Sequence, residues 1–96
     1  MANFDLGLAL CRIRDSITSV EGKYFRYIVK NNLDMKDEEN IYVKNIFELE
    51  RTKSGLYKCK TEEDAQALIN RIDELRKFID EVEGKFMLSI YPALIE

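Results

Sequence analysis

The sequence feature that most constrains the fold is a pair of matched amphipathic stretches, 62 residues apart along the chain. In each stretch apolar residues recur every three or four positions, which places them on one face of an α-helix. The first stripe consists of Leu6, Leu10, Ile13, Ile17 and Val20, and the second of Leu68, Ile72, Leu75, Ile79 and Val82. We therefore expect two helices that pack against a shared core.

Both predicted helices have recognisable ends. Asn3 or Asp5 can cap the start of the first helix, and Thr61, followed by three acidic residues, is a good N-cap for the second. Each stripe runs into the sequence Val-Glu-Gly-Lys, at 20–23 and at 82–85, and glycine commonly ends a helix at such a place. The match suggests an internal repeat, but convergence on common helix signals is the explanation that we favour.

Four segments outside the helices have the composition of β-strands. Aromatic and β-branched residues follow each Val-Glu-Gly-Lys, at 24–29 and 86–91, and the segments 41–50 and 56–60 resemble a hairpin. A turn at 52–55 would join the hairpin, with Gly55 at positive φ. The predicted order is α-β-β-β-α-β, an α+β fold in which two amphipathic helices pack on a small, mainly antiparallel sheet.

The pattern also allows a second architecture with less sheet. Tyr24 and Tyr27 continue the first stripe, so each helix can run on through its glycine, which costs about 0.5–1 kcal/mol relative to alanine. Two long helices would then form an antiparallel hairpin with a central β-hairpin at their end. Residues 34–50 can likewise be read as one longer helix instead of a connector followed by a strand.

Length and composition indicate one globular domain spanning 1–96. Hydrophobic residues make up 46% and charged residues 34% of the chain, which is typical of a folded domain. No apolar run is long enough to cross a membrane, and the N-terminus lacks the basic and apolar regions of a secretory signal. The two cysteines, Cys11 and Cys59, have no metal-binding spacing and suit a reducing compartment. These features predict a cytoplasmic protein with no membrane association.

The residues needed for most catalytic sites are missing from the sequence. It contains no histidine, no nucleophile motif and no glycine-rich phosphate loop. The acidic clusters at 37–39 and 62–64 fit a solvated loop and a helix start better than a metal site. We therefore predict a protein that is not an enzyme, holds no metal or cofactor, and works by binding.

The charge distribution and the aromatic residues indicate where binding occurs. The net charge is −3, yet segment 23–60 has nine basic and six acidic residues, whereas 61–96 has four basic and nine acidic residues. Such separation favours self-association or a polar partner. On the predicted sheet, aromatic and basic side chains would share a partner-binding surface, comprising Tyr24, Arg26, Lys30, Tyr42, Lys44, Lys58 and Lys60.

Two functions fit that predicted surface. The first is a protein–protein interaction module, homo-oligomeric and acting as an inhibitor or adaptor on a larger complex, in the style of small acidic proteins from phages and mobile elements. The ten Phe and Tyr residues favour it, since they exceed what so small a core is expected to cover. The alternative is a nucleotide or nucleic-acid binder that uses the basic strand surface.

Overall fold

The computed structural model describes the backbone of residues 4–95 and the side chains of residues 4–84. It contains three α-helices, α1 (Leu6–Lys30), α2 (Ile41–Ser54) and α3 (Glu62–Ile95), with a 3₁₀ turn at Leu56–Lys58 between α2 and α3. The described backbone contains no strand. The predicted α+β fold is therefore wrong, and so is the alternative with a central β-hairpin.

The helices form an up-down-up bundle. Lys23 on α1 pairs with Asp80 on α3, while Leu8, near the start of α1, shares a groove with Ile69, so α1 and α3 run parallel. Helix α2 is antiparallel to α1, because Tyr42 near its start contacts Tyr27 and Lys53 at its end pairs with Glu21, which is earlier on α1. Two long helices are thus present, as the second architecture expected, but they lie parallel.

The core lies where the apolar faces of the three helices meet. The inner parts of both predicted stripes are confirmed, and the outer residues Leu6, Leu10 and Leu68 are partly buried against them. Each fully buried aliphatic side chain stabilises the fold by about 1.5–3 kcal/mol relative to an exposed position. The buried apolar residues are Ile13, Ile17, Val20, Tyr24, Ile28, Val43, Ile46, Leu49, Leu56, Cys59, Ala65, Ile72, Leu75 and Ile79.

Helix α1 continues through Gly22, so the predicted strand at 24–29 is wrong. Tyr24 and Ile28 are buried one helical turn apart, whereas Phe25 and Val29 lie on the outer side. A helix spacing of four accounts for both pairs, and packing of the inner pair outweighs the strand preference of these residue types. Helix α3 likewise continues through Gly84, and the predicted strand at 86–91 is helical in its backbone; its side chains lie outside the described residues.

The central predicted hairpin is replaced by α2 and the 3₁₀ turn. Asn40 caps α2 by accepting hydrogen bonds from the backbone N–H of Tyr42 and Val43, at 2.9 and 3.4 Å. Residues 41–50 and the first three residues of the predicted turn at 52–55 belong to this helix, and 56–60 contains the 3₁₀ turn. Gly55 has φ −92°, so it does not use the expected positive φ. Its amide N–H instead donates to the carbonyl of Arg51 at 3.0 Å.

The predicted helix starts are confirmed at Asp5 and Thr61. Asp5 Oδ1 accepts from the N–H of Leu8 at 3.0 Å. Thr61 Oγ1 accepts from the N–H of Asp64 at 3.1 Å, and Asp64 Oδ2 accepts from the N–H of Thr61 at 3.2 Å. This reciprocal pair satisfies two backbone donors at the start of α3.

Candidate functional site

The seven residues predicted as a partner-binding surface do not meet in the structure. Tyr24 belongs to the core, where its hydroxyl donates to the carbonyl of Leu75 at 2.7 Å and accepts from Asn45 Nδ2 at 3.1 Å. Burial raises the pKa of Tyr24 to about 12. This side chain links all three helices and is not available to a partner.

Tyr42 is half-buried in a cluster of aromatic rings on the bundle. Its ring centroid lies 4.3 Å from that of Tyr27 and 5.6 Å from that of Phe78. The hydrogen bond with Tyr27, together with burial, raises the pKa of Tyr42 to about 12. These contacts assign Tyr42 to the packing between α1, α2 and α3.

Arg26 and Lys30 lie on the outer side of α1, one turn apart. They line a groove of about 600 Å³ together with Phe25, Val29 and Glu83. The groove is on a different helix from the remaining predicted residues. Its described walls carry both signs of charge, so they do not form the basic surface that the sequence suggested.

Lys44, Lys58 and Lys60 lie at or beyond α2, and two of them share a surface. Lys44 and Lys58 are exposed next to Phe47 and Tyr57, whereas Lys60 lies at the start of α3, where its N–H donates to Asp64 Oδ2 at 3.0 Å. The outer side of α2 and the adjoining 3₁₀ turn are called here the α2 surface. It consists of Ile41, Lys44, Phe47, Arg51, Tyr57 and Lys58.

The α2 surface combines exposed apolar side chains with two shallow depressions. Phe47 is 42% exposed and Tyr57 is 69% exposed. The depressions have volumes of about 590 and 350 Å³, and both are lined by Phe47 and Arg51, so they adjoin along the helix. Lys58 Nζ lies 5.8 Å from the ring centroid of Tyr57, within cation–π range.

Three carboxylates adjoin the α2 surface, those of Glu38, Glu48 and Glu50. Glu48 accepts hydrogen bonds from Nε and Nη2 of Arg71, which hold the pKa of the Glu48 carboxyl below its usual value. Glu50 lies near Glu21 and also lines the smaller depression together with Phe47, Arg51 and Lys58.

Unlike Glu48, the cations of the α2 surface take no part in the close ion pairs of the described residues. Within the described part of the chain, Lys44, Arg51 and Lys58 lie in no ion pair of 4 Å or less. These three cations share the surface with the exposed carboxylates of Glu38 and Glu50, in a chain whose net charge is −3.

An acidic stripe on α3 borders the α2 surface. Glu63, Glu74 and Glu81 are exposed, and their spacings of eleven and seven residues place them on one face of the helix. Arg71 donates to Glu48 through Nη2 at 2.7 Å and to Glu74 through Nη1 at 2.9 Å. Because the Arg71 guanidinium contacts both Glu48 on α2 and Glu74 on α3, the middle of the acidic stripe lies beside α2.

Glu21 is the one charged side chain that is buried among the described residues. It pairs with Lys53 at 3.3 Å, and its Oε2 has no hydrogen-bond donor within the described part of the chain. Burial and the neighbouring Glu50 raise the pKa of Glu21 against the opposing effect of Lys53. The group lies between α1 and α2, away from the α2 surface, and belongs to the packing of these helices.

The thiols and acidic groups form no recognisable reactive centre in the residues that are described. Cys59 is buried, and desolvation raises the pKa of its thiol, whereas Cys11 is exposed. Across the described residues no group of three or more Cys, Asp and Glu side chains is placed to hold a metal ion. A separate search of these residues for a helix of membrane-spanning length and hydropathy found none.

Sequence reasoning missed Phe47, Arg51 and Arg71 as candidate binding residues. Lys44, Phe47 and Arg51 are spaced by three and four residues, a helical pattern that was hidden once 41–50 was read as a strand. Comparisons with protein-family models, with curated proteins and with solved structures found no match. The α2 surface and the acidic stripe are therefore the features on which a functional proposal rests.

Proposed function

We propose that this chain is a non-catalytic protein–protein interaction module, which binds its partner through the α2 surface and acts as an inhibitor or adaptor. The observation that carries the proposal is the juxtaposition of exposed Phe47 and Tyr57 with Arg51 and two lysines. Aromatic residues and arginine are the types most enriched at the energetic centres of protein interfaces.

The charges on the α2 surface indicate the chemistry of the partner. Lys44 and Arg51 are seven residues apart, which is two helical turns or about 10.5 Å along α2. A helix that offers carboxylates two turns apart, with an apolar side chain between them for Phe47, would match this spacing. The partner surface is therefore an acidic helix, and self-association is part of the proposal. The free thiols fit a reducing, cytoplasmic setting.

An affinity capture with two matched variants tests this function. The double variant Lys44→Glu/Arg51→Glu reverses two charges on the α2 surface, and Arg14→Glu/Arg26→Glu makes the same change in net charge on exposed positions of α1. We expect wild type and the α1 variant to capture the same protein in stoichiometric amounts, and the α2 variant to lose it. Circular dichroism and urea unfolding would confirm that both variants are folded.

Two outcomes would contradict the proposal. Equal capture by the α2 variant would show that the partner binds elsewhere. Capture of a component that nuclease treatment removes, with strong dependence on salt, would assign the surface to nucleic acid instead.

A further inference from the structure

Helix α1 carries a second regular stripe on the side that faces away from the core. Its members are spaced alternately by four and three residues, and those from Leu8 to Gly22 each lie two residues before an inward-facing residue. Two residues are about 200° around a helix, so this stripe lies opposite the core. It is called here the outer seam and consists of Phe4, Leu8, Cys11, Asp15, Thr18, Gly22, Phe25 and Val29.

The outer seam has its large apolar residues at its two ends, where they are exposed. Phe4 and Leu8 are 38% and 48% exposed and line a depression at the start of α1. Phe25 and Val29 are 41% and 75% exposed and line the groove at its end. A four-three spacing that is kept over three heptads is typical of a helix that packs along its length on another helix.

The residues of the outer seam match each other when they are counted inward from both ends. Large apolar residues correspond to large apolar ones, the two smallest residues correspond to each other, and a carboxylate corresponds to a hydroxyl. The four pairs are Phe4 with Val29, Leu8 with Phe25, Cys11 with Gly22, and Asp15 with Thr18. A seam with this symmetry is complementary to an antiparallel copy of itself.

We propose that two copies of this chain form an antiparallel, two-fold symmetric dimer through the outer seams of their α1 helices. The two-fold axis crosses the seam between Asp15 and Thr18 and places each residue level with its counterpart in the second copy. The inference goes beyond the proposed function, because it assigns self-association to a surface other than the α2 surface. Each copy in this dimer keeps its α2 surface open to a partner.

The charges beside the outer seam favour the antiparallel arrangement. Asp5 comes within two residues, or about 3 Å in height, of both Arg26 and Lys30 of the second copy. In a parallel dimer each of these charges would instead be level with its own like-charged counterpart. The depression at the start of α1 has a net charge of −1 from Asp5, Arg12 and Glu62, and the groove at its end has +1 from Arg26, Lys30 and Glu83.

Asp15 is the charged residue within the outer seam, and it limits the affinity. In the dimer the two Asp15 residues flank the axis and differ by about 4.5 Å in height, so their carboxylates repel each other. Arg14 of each copy, about 6 Å in height from Asp15 of the other, offsets part of this repulsion. A polar residue at one such position fixes the register of a helix pair at a cost in stability.

The size of the outer seam predicts a weak dimer. The exposed parts of its four large apolar side chains amount to roughly 300 Å² per copy. With the other seam residues and the flanking charged side chains, two copies bury about 1,200 Å² in total, which is the lower limit of specific interfaces. We therefore expect a dissociation constant on the order of 10 μM.

A single cysteine substitution tests the register of the two helices. Gly22→Cys places the new thiol level with Cys11 of the second copy, and a Cβ at position 22 meets nothing within 4 Å. Within one chain these thiols are eleven residues apart, about 16.5 Å along α1, which is too far for a disulfide. With oxidised glutathione as the acceptor of the electrons, we expect Gly22→Cys to form two disulfides between two chains and to migrate as a covalent dimer on a non-reducing gel.

Two controls accompany the cross-linking. Wild type should remain uncross-linked, because the two Cys11 thiols of an antiparallel dimer differ by about 16.5 Å in height. Glu81→Cys places a thiol at an exposed position of α3 and should also remain uncross-linked. A wild-type chain that cross-links through Cys11 as readily as Gly22→Cys would indicate a parallel pair and would overturn the proposal.

Sedimentation velocity at concentrations up to about 200 μM tests the strength of the dimer. We expect Asp15→Leu to lower the dissociation constant at least about 10-fold, since it removes the central repulsion and adds an apolar residue to the seam. Glu81→Leu makes the same change in charge on α3 and should associate as wild type does. In Arg14→Glu/Arg26→Glu the introduced carboxylates face Asp15 and Asp5 of the second copy, so we expect a dissociation constant at least about 10-fold higher.

The results distinguish failure of the dimer from failure of the proposed function. Wild type and Asp15→Leu that are both monomeric at about 200 μM, or a Gly22→Cys variant that stays uncross-linked, overturn the dimer. If Lys44→Glu/Arg51→Glu then still loses the captured protein, the proposed function stands alone. If the dimer forms and this α2 variant captures the protein as wild type does, the dimer stands and the proposed function is refuted.

Discussion

The buried hydroxyl of Tyr24 makes the sharpest prediction about stability. It donates to the carbonyl of Leu75 and accepts from Asn45 Nδ2, so it ties α1 to both other helices. Tyr24→Phe removes the hydroxyl and keeps the ring. The Leu75 carbonyl retains its helical N–H donor, whereas the Asn45 amide, in a residue that is 6% exposed, loses its partner.

The expected loss of stability is about 2 kcal/mol. A neutral hydrogen bond contributes about 1 kcal/mol net, and leaving a buried donor unsatisfied costs a further 1–3 kcal/mol, part of which structural relaxation recovers. For a domain of this length, each kcal/mol lowers the melting temperature by roughly 4–8 °C. Urea unfolding and thermal melting, both followed by circular dichroism, would measure the change.

A double-mutant cycle separates the hydrogen bond from general packing effects. Asn45→Ala removes the amide that Tyr24→Phe leaves unsatisfied, so the double variant should be less destabilised than the sum of the single variants by about 1 kcal/mol. Tyr57→Phe is the matched control, because its side chain is 69% exposed and we expect a change within about 0.5 kcal/mol. A Tyr24→Phe variant as stable as this control, or additive effects in the cycle, would refute the reasoning.

Two further substitutions test the helix interior. Gly22→Ala should stabilise the protein by about 0.5–1 kcal/mol, since a Cβ there would meet nothing within 4 Å and the residue is inside α1; a loss of stability in urea unfolding would argue against a continuous helix. The pKa of Glu21 is raised in the folded state, so ionising this carboxyl lowers the stability of the fold. The contribution of Glu21 to the free energy of unfolding is therefore full below the unfolded pKa of 4.5 and is lost as the pH rises through the folded pKa. Glu21→Gln should therefore gain stability relative to wild type between acidic and neutral pH in parallel urea titrations, and a difference that shrinks over this range would indicate that the Lys53 ion pair dominates.

Helix starts and the inner faces of α1 and α3 could be predicted because short-range chemistry determines them. The Asp5 and Thr61 caps depend on side chains that reach only three residues along the chain. The stripe around Ile17 and the stripe around Leu75 depend on helical spacing alone. Neither signal requires knowledge of which other segment is packed against it.

The strand predictions failed because they relied on residue type where packing decides. Val43, Ile46 and Leu49 lie three residues apart and are buried, but Ile41, Val43 and Leu49 also fit the alternation of a strand. The cap by Asn40 distinguishes the two readings, and this local signal was overlooked.

The error in fold carried over to the candidate binding residues, whose grouping assumed a sheet. As helices, the same segments bury Tyr24 and place Arg26 and Lys44 on different sides of the bundle. Of the seven predicted residues, only Lys44 and Lys58 lie together on the α2 surface. Helical periodicity for 41–50 would have grouped Lys44 with Phe47 and Arg51, because residues spaced by three and four are neighbours on one face of a helix.

The two copies of Val-Glu-Gly-Lys lie within the parallel helices α1 and α3. Helices α1 and α3 both bury their stripes in the same core, so the matching apolar positions follow from shared packing without a common ancestor. The polar residues of the match do not share a role: Glu21 is buried against Lys53 on α2, whereas Glu83 lines the groove beside α1. Gly22 has open space around its Cβ position, so sterics do not require glycine there. Packing in a shared core accounts for the matching apolar residues, and the two glutamates have different surroundings. Convergence is therefore sufficient to explain the similarity.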